Sequence, residues 1–214
     1  GTQYTYETKA SNCAISAGPH AVTQIGSLSY CYDANGNQIQ SYEGNNLTRS
    51  ISYNSFEKAE TITSGGETTT FTYDVNHSRY KRVHTDSEGQ ATTSYYFGNI
   101  ELIQNHNGSS GTPVYDVKRY AGDYGIQTHY ASGVISKQYM LKDHLGSIDV
   151  ITNENGSIAN MMSFDAFGNR RDAFSWSLFA QAHAAPTLVS LLDITNRGFT
   201  GHEMVDHAGI IHMN

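Results

Sequence analysis

The chain has 3 prolines, 2 cysteines and a single tryptophan in 214 residues. It contains no run approaching the ~18 apolar residues of a membrane span. Each shortage excludes something. Without such a run no membrane-crossing helix is expected, and Gly1 to His20 lacks an apolar stretch behind a basic start, so it does not read as a signal peptide. A soluble protein is expected. Cys13 and Cys31 belong to no CxxC motif and have no histidine partner; they read as small buried apolar side chains rather than as a disulfide, although the spacing alone does not decide whether they are bonded. Basic residues are also scarce: 13 Lys and Arg against 20 Asp and Glu leave a net charge of -7, which argues against a nucleic-acid partner. With 38% hydrophobic residues there is little apolar surplus, so the core must be lean and partly aromatic.

What is abundant points to strands. Fifteen Tyr and 20 Gly, with many Thr and Ser, suit short strands joined by tight turns. An aromatic residue followed by an acid or amide recurs at Tyr32-Asp33, Tyr53-Asn54, Tyr73-Asp74, Tyr115-Asp116 and Phe164-Asp165, with Tyr95-Tyr96 filling the gap. Up to Tyr115 the steps are 21, 20, 22 and 20 residues before the rhythm loosens, and a fixed period of this size is the mark of a repeat architecture. Ahead of each pair the residues alternate, as in Leu28-Ser29-Tyr30-Cys31-Tyr32 and Thr69-Thr70-Phe71-Thr72-Tyr73, placing aromatics on one face of a strand. Gly or Asn follows where positive φ is needed, at Gly36, Gly146 and Gly168. Second turn signals at Glu43-Gly44-Asn45, Ser64-Gly65-Gly66 and Asn155-Gly156 divide each period into a hairpin or meander. One hairpin cannot bury its aromatic face alone, so the units must stack or wind. The fold class read from this is all-β: repeated antiparallel β-hairpins forming a wound or curved sheet. One stretch breaks the pattern. The Ala and Leu content on either side of Pro186 predicts a short helical insert near 174–193, a candidate plug or partner-binding surface.

The segments Tyr32-Asp33-Ala34-Asn35-Gly36-Asn37, Tyr73-Asp74 with Arg79-Tyr80-Lys81-Arg82, and Phe164-Asp165-Ala166-Phe167-Gly168-Asn169-Arg170-Arg171 resemble the repeats of the Rhs or YD-repeat family. The blocks Ala17–Thr23, Leu141–Ser147 and Arg197–Glu203 resemble the Rhs-associated core near the end of such proteins. The resemblance implies a β-sheet shell of a bacterial polymorphic toxin, secreted or at the cell surface, that encloses a C-terminal toxin domain. Its implied partners are that domain and the secretion or delivery machinery, with self-association through exposed strand edges. In the family's pattern the core runs on into an Asp-Pro-x-Gly-Arg self-cleavage motif. Here the sequence is expected to stop short of it, without the protease residues or a toxin domain. The organisation expected is a YD-repeat sheet over 1–171 that includes the start of the associated core, a partly helical insert over 172–196, and a core segment over 197–214.

His202, Glu203, Asp206, His207 and His212 concentrate ionisable groups, but histidines five apart share no face of a helix or strand, unlike the i, i+4 pair of a zincin. They read as polar groups of a turn and strand edge. Asp143-His144 has no nucleophile tied to it and falls on the repeat register. No Gly-x-Ser-x-Gly elbow or phosphate loop is present. No catalytic residue, cofactor or metal ligand is therefore assigned. The residues singled out are structural: Tyr32, Tyr53, Tyr73, Tyr115 and Phe164 for packing; Asp33, Asp74, Asp143 and Asp165 for turn capping, with Asn54 and Asp116 as further repeat positions; Gly36, Gly146 and Gly168 for backbone geometry. The function expected is a non-enzymatic shell or scaffold. The alternatives are a small metal-dependent nuclease or hydrolase using the C-terminal histidines, and a carbohydrate-binding or adhesion module using exposed Tyr and Trp176.

Overall fold

The structure is a computed structural model that describes residues 3–105, 113–178 and 194–212. Fifteen strands follow one another in sequence order in one antiparallel sheet, which is the expected all-β arrangement of repeated hairpins. The helical turns among the described residues are short 3-10 turns. The chain divides into two compact units.

The first unit comprises residues 1–72 and 84–89. It carries β1 (Tyr4–Tyr6), β2 (Val22–Ile25), β3 (Leu28–Tyr32), β4 (Gln38–Glu43), β5 (Asn46–Tyr53), β6 (Ala59–Ser64) and most of β7 (Glu67–Tyr73). Ile51 faces Ile62 across β5 and β6, and these two with Phe71 and Cys31 are its main buried apolar side chains. Hydroxyls fill the places between them. Thr63 bonds Thr68 at 3.1 Å and Ser41 bonds Thr48 at 2.8 Å, each across a hairpin, while Thr23 and Thr69 are fully buried. Cys13 and Cys31 are joined in a disulfide, which corrects the reading of them as separate thiols. The bond ties the strandless stretch before β2 to β3, a pairing that depends on the chain folding back and so left no mark in the spacing.

The second unit comprises residues 73–83 and 90–214. It holds most of β8 (Arg79–Thr85), then β9 (Ala91–Phe97), β10 (Ile100–Asn105), β11 (Val114–Ala121), β12 (Gly125–His129), β13 (Ile135–Lys142), β14 (Ile148–Asn153) and β15 (Ile158–Met161). Two short hairpins follow: β16 (Ser163–Phe164) with β17 (Arg170–Arg171), and β18 (Glu203–Val205) with β19 (Ile210–His212). One contiguous apolar cluster forms here from Tyr120, Ile126, Met140, Ile148, Ile151, Met162 and Ile194, with Ala159 and Phe164 packed against it. Residues 179–193 of the expected helical insert lie outside the described residues. Its described beginning, Phe174 to Leu178, is a turn that ends in a β-bridge between Arg171 and Leu178.

Candidate functional site

The repeat signature resolves into one local device. At Asp33 the backbone N–H donates to the Asn37 carbonyl at 2.9 Å, and the Gly36 N–H donates back to the Asp33 carbonyl at 3.2 Å. The side-chain Oδ1 accepts from the N–H of Asn35 at 3.0 Å and of Asn37 at 2.8 Å. The loop is a tight turn with its fourth residue in the left-handed region, where Gly36 has φ 91°. The carboxylate satisfies donors that the turn would otherwise leave to water. Asn54, Asp74, Asp143 and Asp165 make the same pair of side-chain bonds to the residues two and four positions on. The side-chain amide of Asn37, helped by the backbone N–H groups, holds the Asp33 carboxyl below its usual range. At Asp143 and Asp165 partial burial acts upward, but the amide donors outweigh it and both carboxyls also stay low.

Tyr115 and Asp116 stand elsewhere. They lie inside β11, with no turn after them, and Asp116 Oδ1 accepts from Ala131 N–H at 2.7 Å. The turn itself is at Tyr130 to Val134, closed by Tyr130 N–H to the Val134 carbonyl and Gly133 N–H to the Tyr130 carbonyl, both 2.9 Å. Asp116 thus supplies from a neighbouring strand an acceptor that Tyr130 cannot. A further turn of this kind sits at Asn153 with Gly156. The signal that marks both is glycine three residues after the turn's first position. Tyr32 and Tyr53 lie half-buried and use their hydroxyls as well as their rings, donating to the carbonyls of Val22 at 2.7 Å and Gln38 at 3.1 Å. Tyr73 Oη lies 3.4 Å from His212 Nε2.

The ionisable C-terminal segment becomes a buried clasp within the second unit. Glu203 Oε1 accepts from Arg82 Nη1 at 3.0 Å and Oε2 accepts from Arg79 Nη2, while Tyr96 Oη donates to both oxygens at 3.0 and 3.2 Å. Arg79 also stacks over the Tyr96 ring at 4.6 Å. Burial pushes the Glu203 carboxyl up, but Arg82, Arg79 and the Tyr96 hydroxyl together pull it below its ordinary value. For Arg82, desolvation acts downward, and the charge of Glu203 reverses it, raising the guanidinium. Burial, with Glu203 adding to it, lifts the Tyr96 phenol well above its usual range. All three groups therefore keep the charge states that suit the clasp. Three residues on, Asp206 accepts from Arg170 Nε at 2.7 Å, and the Arg170 guanidinium lies 5.3 Å from the centre of the Phe164 ring.

Glycine sets how closely these pieces meet. A Cβ on Gly198 would come within 2.9 Å of Phe164 and 3.1 Å of Met204, and one on Gly168 within 2.9 Å of the Phe199 ring. Thr200 N–H donates to Ser147 Oγ at 3.1 Å, and the Gly198 carbonyl accepts from Ile148 N–H at 3.1 Å. The stretches around 143–147, 164–171 and 197–206 are thus packed on one another. Both oxygens of Glu203 accept from three side chains, so the clasp fixes its charge in place. His202, His207 and His212 do not form one ligand set among the described residues.

No family model matches the chain, and no curated protein does. Solved structures do. The crystal structure of TcdB2-TccC3-Cdc42 is similar at 14% identity and TM-score 0.60, over 86% of this chain and 11% of that chain. That of TcdB2-TccC3 is similar at 14% identity and TM-score 0.63, over 85% and 9%. The structure of the Photorhabdus luminescens Tc holotoxin pore gives 13% identity and TM-score 0.57, over 86% and 11%. At this identity the likeness is one of fold, and the chain spans only about a tenth of the length of the chains it matches.

Proposed function

We propose that this chain is a non-enzymatic segment of the β-shell of a Rhs-type polymorphic toxin, a scaffold that encloses or presents a C-terminal toxin domain. The observation that carries the reading is the fifteen-strand sheet of hairpins, similar in fold over 85% or more of its length to structures containing TcdB2 and TccC3. The side chains support it. The carboxylates that look most reactive are spent on turns and ion pairs, as a scaffold requires. Its partners are the toxin domain of the parent protein and the machinery that delivers it, in a secreted or cell-surface bacterial setting. The Cys13–Cys31 bond fits such an oxidising compartment. None of the described helices is long and apolar enough to cross a membrane. The terminal strands of the sheet order, β1 and β15, are edges through which further strands or copies would add.

The test is protease protection of the protein made from its full reading frame. A C-terminal domain that resists digestion until the β-sheet is unfolded, and is cut at once when made alone, is the expected result. Equal digestion in both forms, or a reading frame that encodes no further domain, overturns the reading.

A further inference from the structure

Beside β14 and β16 the second unit has a cleft of about 380 Å3, lined in part by the turns at Asp143 and Asp165 and lying outside the clasp. Its apolar lining comes from Ile148 and Met162, both buried, and from Phe164 and Phe199, which meet edge to face at 5.8 Å. Its polar lining is acidic: Asp143, Asp149 and Asp165 against the single guanidinium of Arg171. Two of these carboxylates are turn residues held low and hence ionised. Asp149 stands apart from that duty: its carbonyl accepts from Met162 N–H at 2.8 Å. Its side chain is exposed.

An aromatic pair adjoins the cleft through Arg171. The Arg171 Nε donates to Ser163 Oγ at 2.8 Å, and its guanidinium lies 5.1 Å from the centre of the Trp176 ring. Trp176 is 67% exposed and Phe174 is 82% exposed. Neither is left there by a loose loop. Asp172 Oδ1 accepts from Phe174 N–H at 3.1 Å and Ser175 N–H at 2.7 Å, and Trp176 N–H donates to the Asp172 carbonyl at 3.0 Å. Trp176 sits at φ 61°, a left-handed conformation that strains a bulky residue. Among the described residues, packing does not account for a strained, hydrogen-bonded turn that holds large aromatics in water. Strain kept in this way is a pointer to function.

We infer that the cleft and the Trp176 turn together form a docking site for an extended basic segment of a partner polypeptide. A Lys or Arg side chain lays its aliphatic stem over Phe164 and Met162 and brings its cation to Asp149, with Asp143 and Asp165 adding to the field. An apolar neighbour on the same segment rests on the open face of the indole, and Arg171 holds the other face. Charge selects the partner: three carboxylates to one guanidinium repel an acidic segment and attract a basic one. The site is independent of the scaffold reading, because a free-standing protein would bind the segment equally well.

The probe is a fluorescein-labelled hexapeptide of alternating Leu and Lys, titrated into the intact chain by anisotropy, with the Leu-Glu counterpart as control. Trp176 is the sole tryptophan, so its emission reports occupancy directly. The Lys peptide should bind at least about tenfold more tightly than the Glu peptide, weaken as salt shortens the Debye length, and shift the Trp176 emission. Asp149→Asn should weaken it about three- to tenfold and Trp176→Ala by a similar factor, with the circular dichroism of the chain unchanged. If a variant fails to fold, the salt dependence and the Lys-to-Glu ratio of the unaltered chain still decide. No binding of the Lys peptide at millimolar concentration, equal binding of both peptides, or affinity unaffected by Asp149→Asn in a folded variant overturns the proposal.

Discussion

The two units use the same turn but hold themselves together differently. In the first, buried apolar side chains are few, hydroxyls fill the gaps, and a disulfide fastens the stretch ahead of β2. In the second, a contiguous apolar cluster lies beside a buried clasp of Arg79, Arg82, Tyr96 and Glu203. The difference teaches what a hairpin repeat can and cannot do alone. Local turn chemistry fixes strand register cheaply, but a two-stranded unit buries little area, and a unit made mostly of repeats needs a covalent tie. Where the stretches around 143–147, 164–171 and 197–206 pack on one another, side chains distant in sequence supply the missing burial.

The clasp is where the comparison should break first. Replacing Glu203 with Ala leaves two buried guanidinium groups without their carboxylate, a loss of about 3–5 kcal/mol for a pair of this kind. Urea unfolding followed by Trp176 emission, which reports the second unit, should show the drop. A shift below about 1 kcal/mol would mean that the clasp is solvated and idle. Its pH dependence follows from the depressed Glu203 carboxyl. The folded form favours the ionised group, so its contribution is complete above the unfolded value of about 4.3 and is lost as pH falls through the lower folded value. Glu203→Gln should therefore flatten the acid limb of the stability profile below about pH 4. An unchanged acid limb would place the titration elsewhere.

Next in size is the disulfide. Closing a loop with a sequence separation of 18 restricts the unfolded chain by about 3 kcal/mol on the loop-entropy account. Replacing Cys13 and Cys31 together with Ser should cost that much in the first unit, read from tyrosine emission or circular dichroism. The Trp176 transition should stay in place. Loss of both transitions together would show the two units unfolding as one.

The turns were legible in the sequence because they are local: Asp33 with Gly36, Asp143 with Gly146 and Asp165 with Gly168 carry acceptor and left-handed residue within one short window. The period misled at Tyr115 because an aromatic-acid pair does not make the turn; the residue three positions after the first does, and Gly133 identifies the one at Tyr130. Glu203 was visible as one of a group of polar residues, but its arginine partners lie 124 and 121 positions away, and nothing in a local pattern connects them. The same holds for the cleft, whose lining comes from stretches around 143–149, 162–171 and Phe199. Local rules read register; they do not read what a later segment brings back.

A smaller contrast compares the quality of packing. Ile151 is fully buried in the second unit's apolar cluster, whereas Ile51 in the first is 8% exposed and faces Ile62 across the strand pair. Ile151→Val should cost about 1–1.5 kcal/mol and Ile51→Val about 0.5, at the two ends of the usual range for this change. Equal losses would mean that the first unit is as tightly packed as the second, and that the hydroxyl-rich composition is no weakness.

The smallest effect tests the turn itself. Glu57 holds the left-handed position, at φ 63°, that glycine holds in most of the other turns. Its carboxylate accepts from the side-chain amides of Asn35, at 2.7 Å, and Asn37, which binds one turn to the next. Two changes separate strain from tie. Glu57→Ala keeps a Cβ in the left-handed region and removes both bonds, so it should destabilise by about 1 kcal/mol. Glu57→Gly removes the same bonds but relieves a strain of about 1 kcal/mol, and should leave stability nearly unchanged. Equal losses from the two would show that the strain costs nothing, whereas a clear gain from Glu57→Gly would show that the exposed tie between turns contributes nothing. The first unit would then rest on its disulfide, its hydroxyl pairs and its few buried apolar side chains.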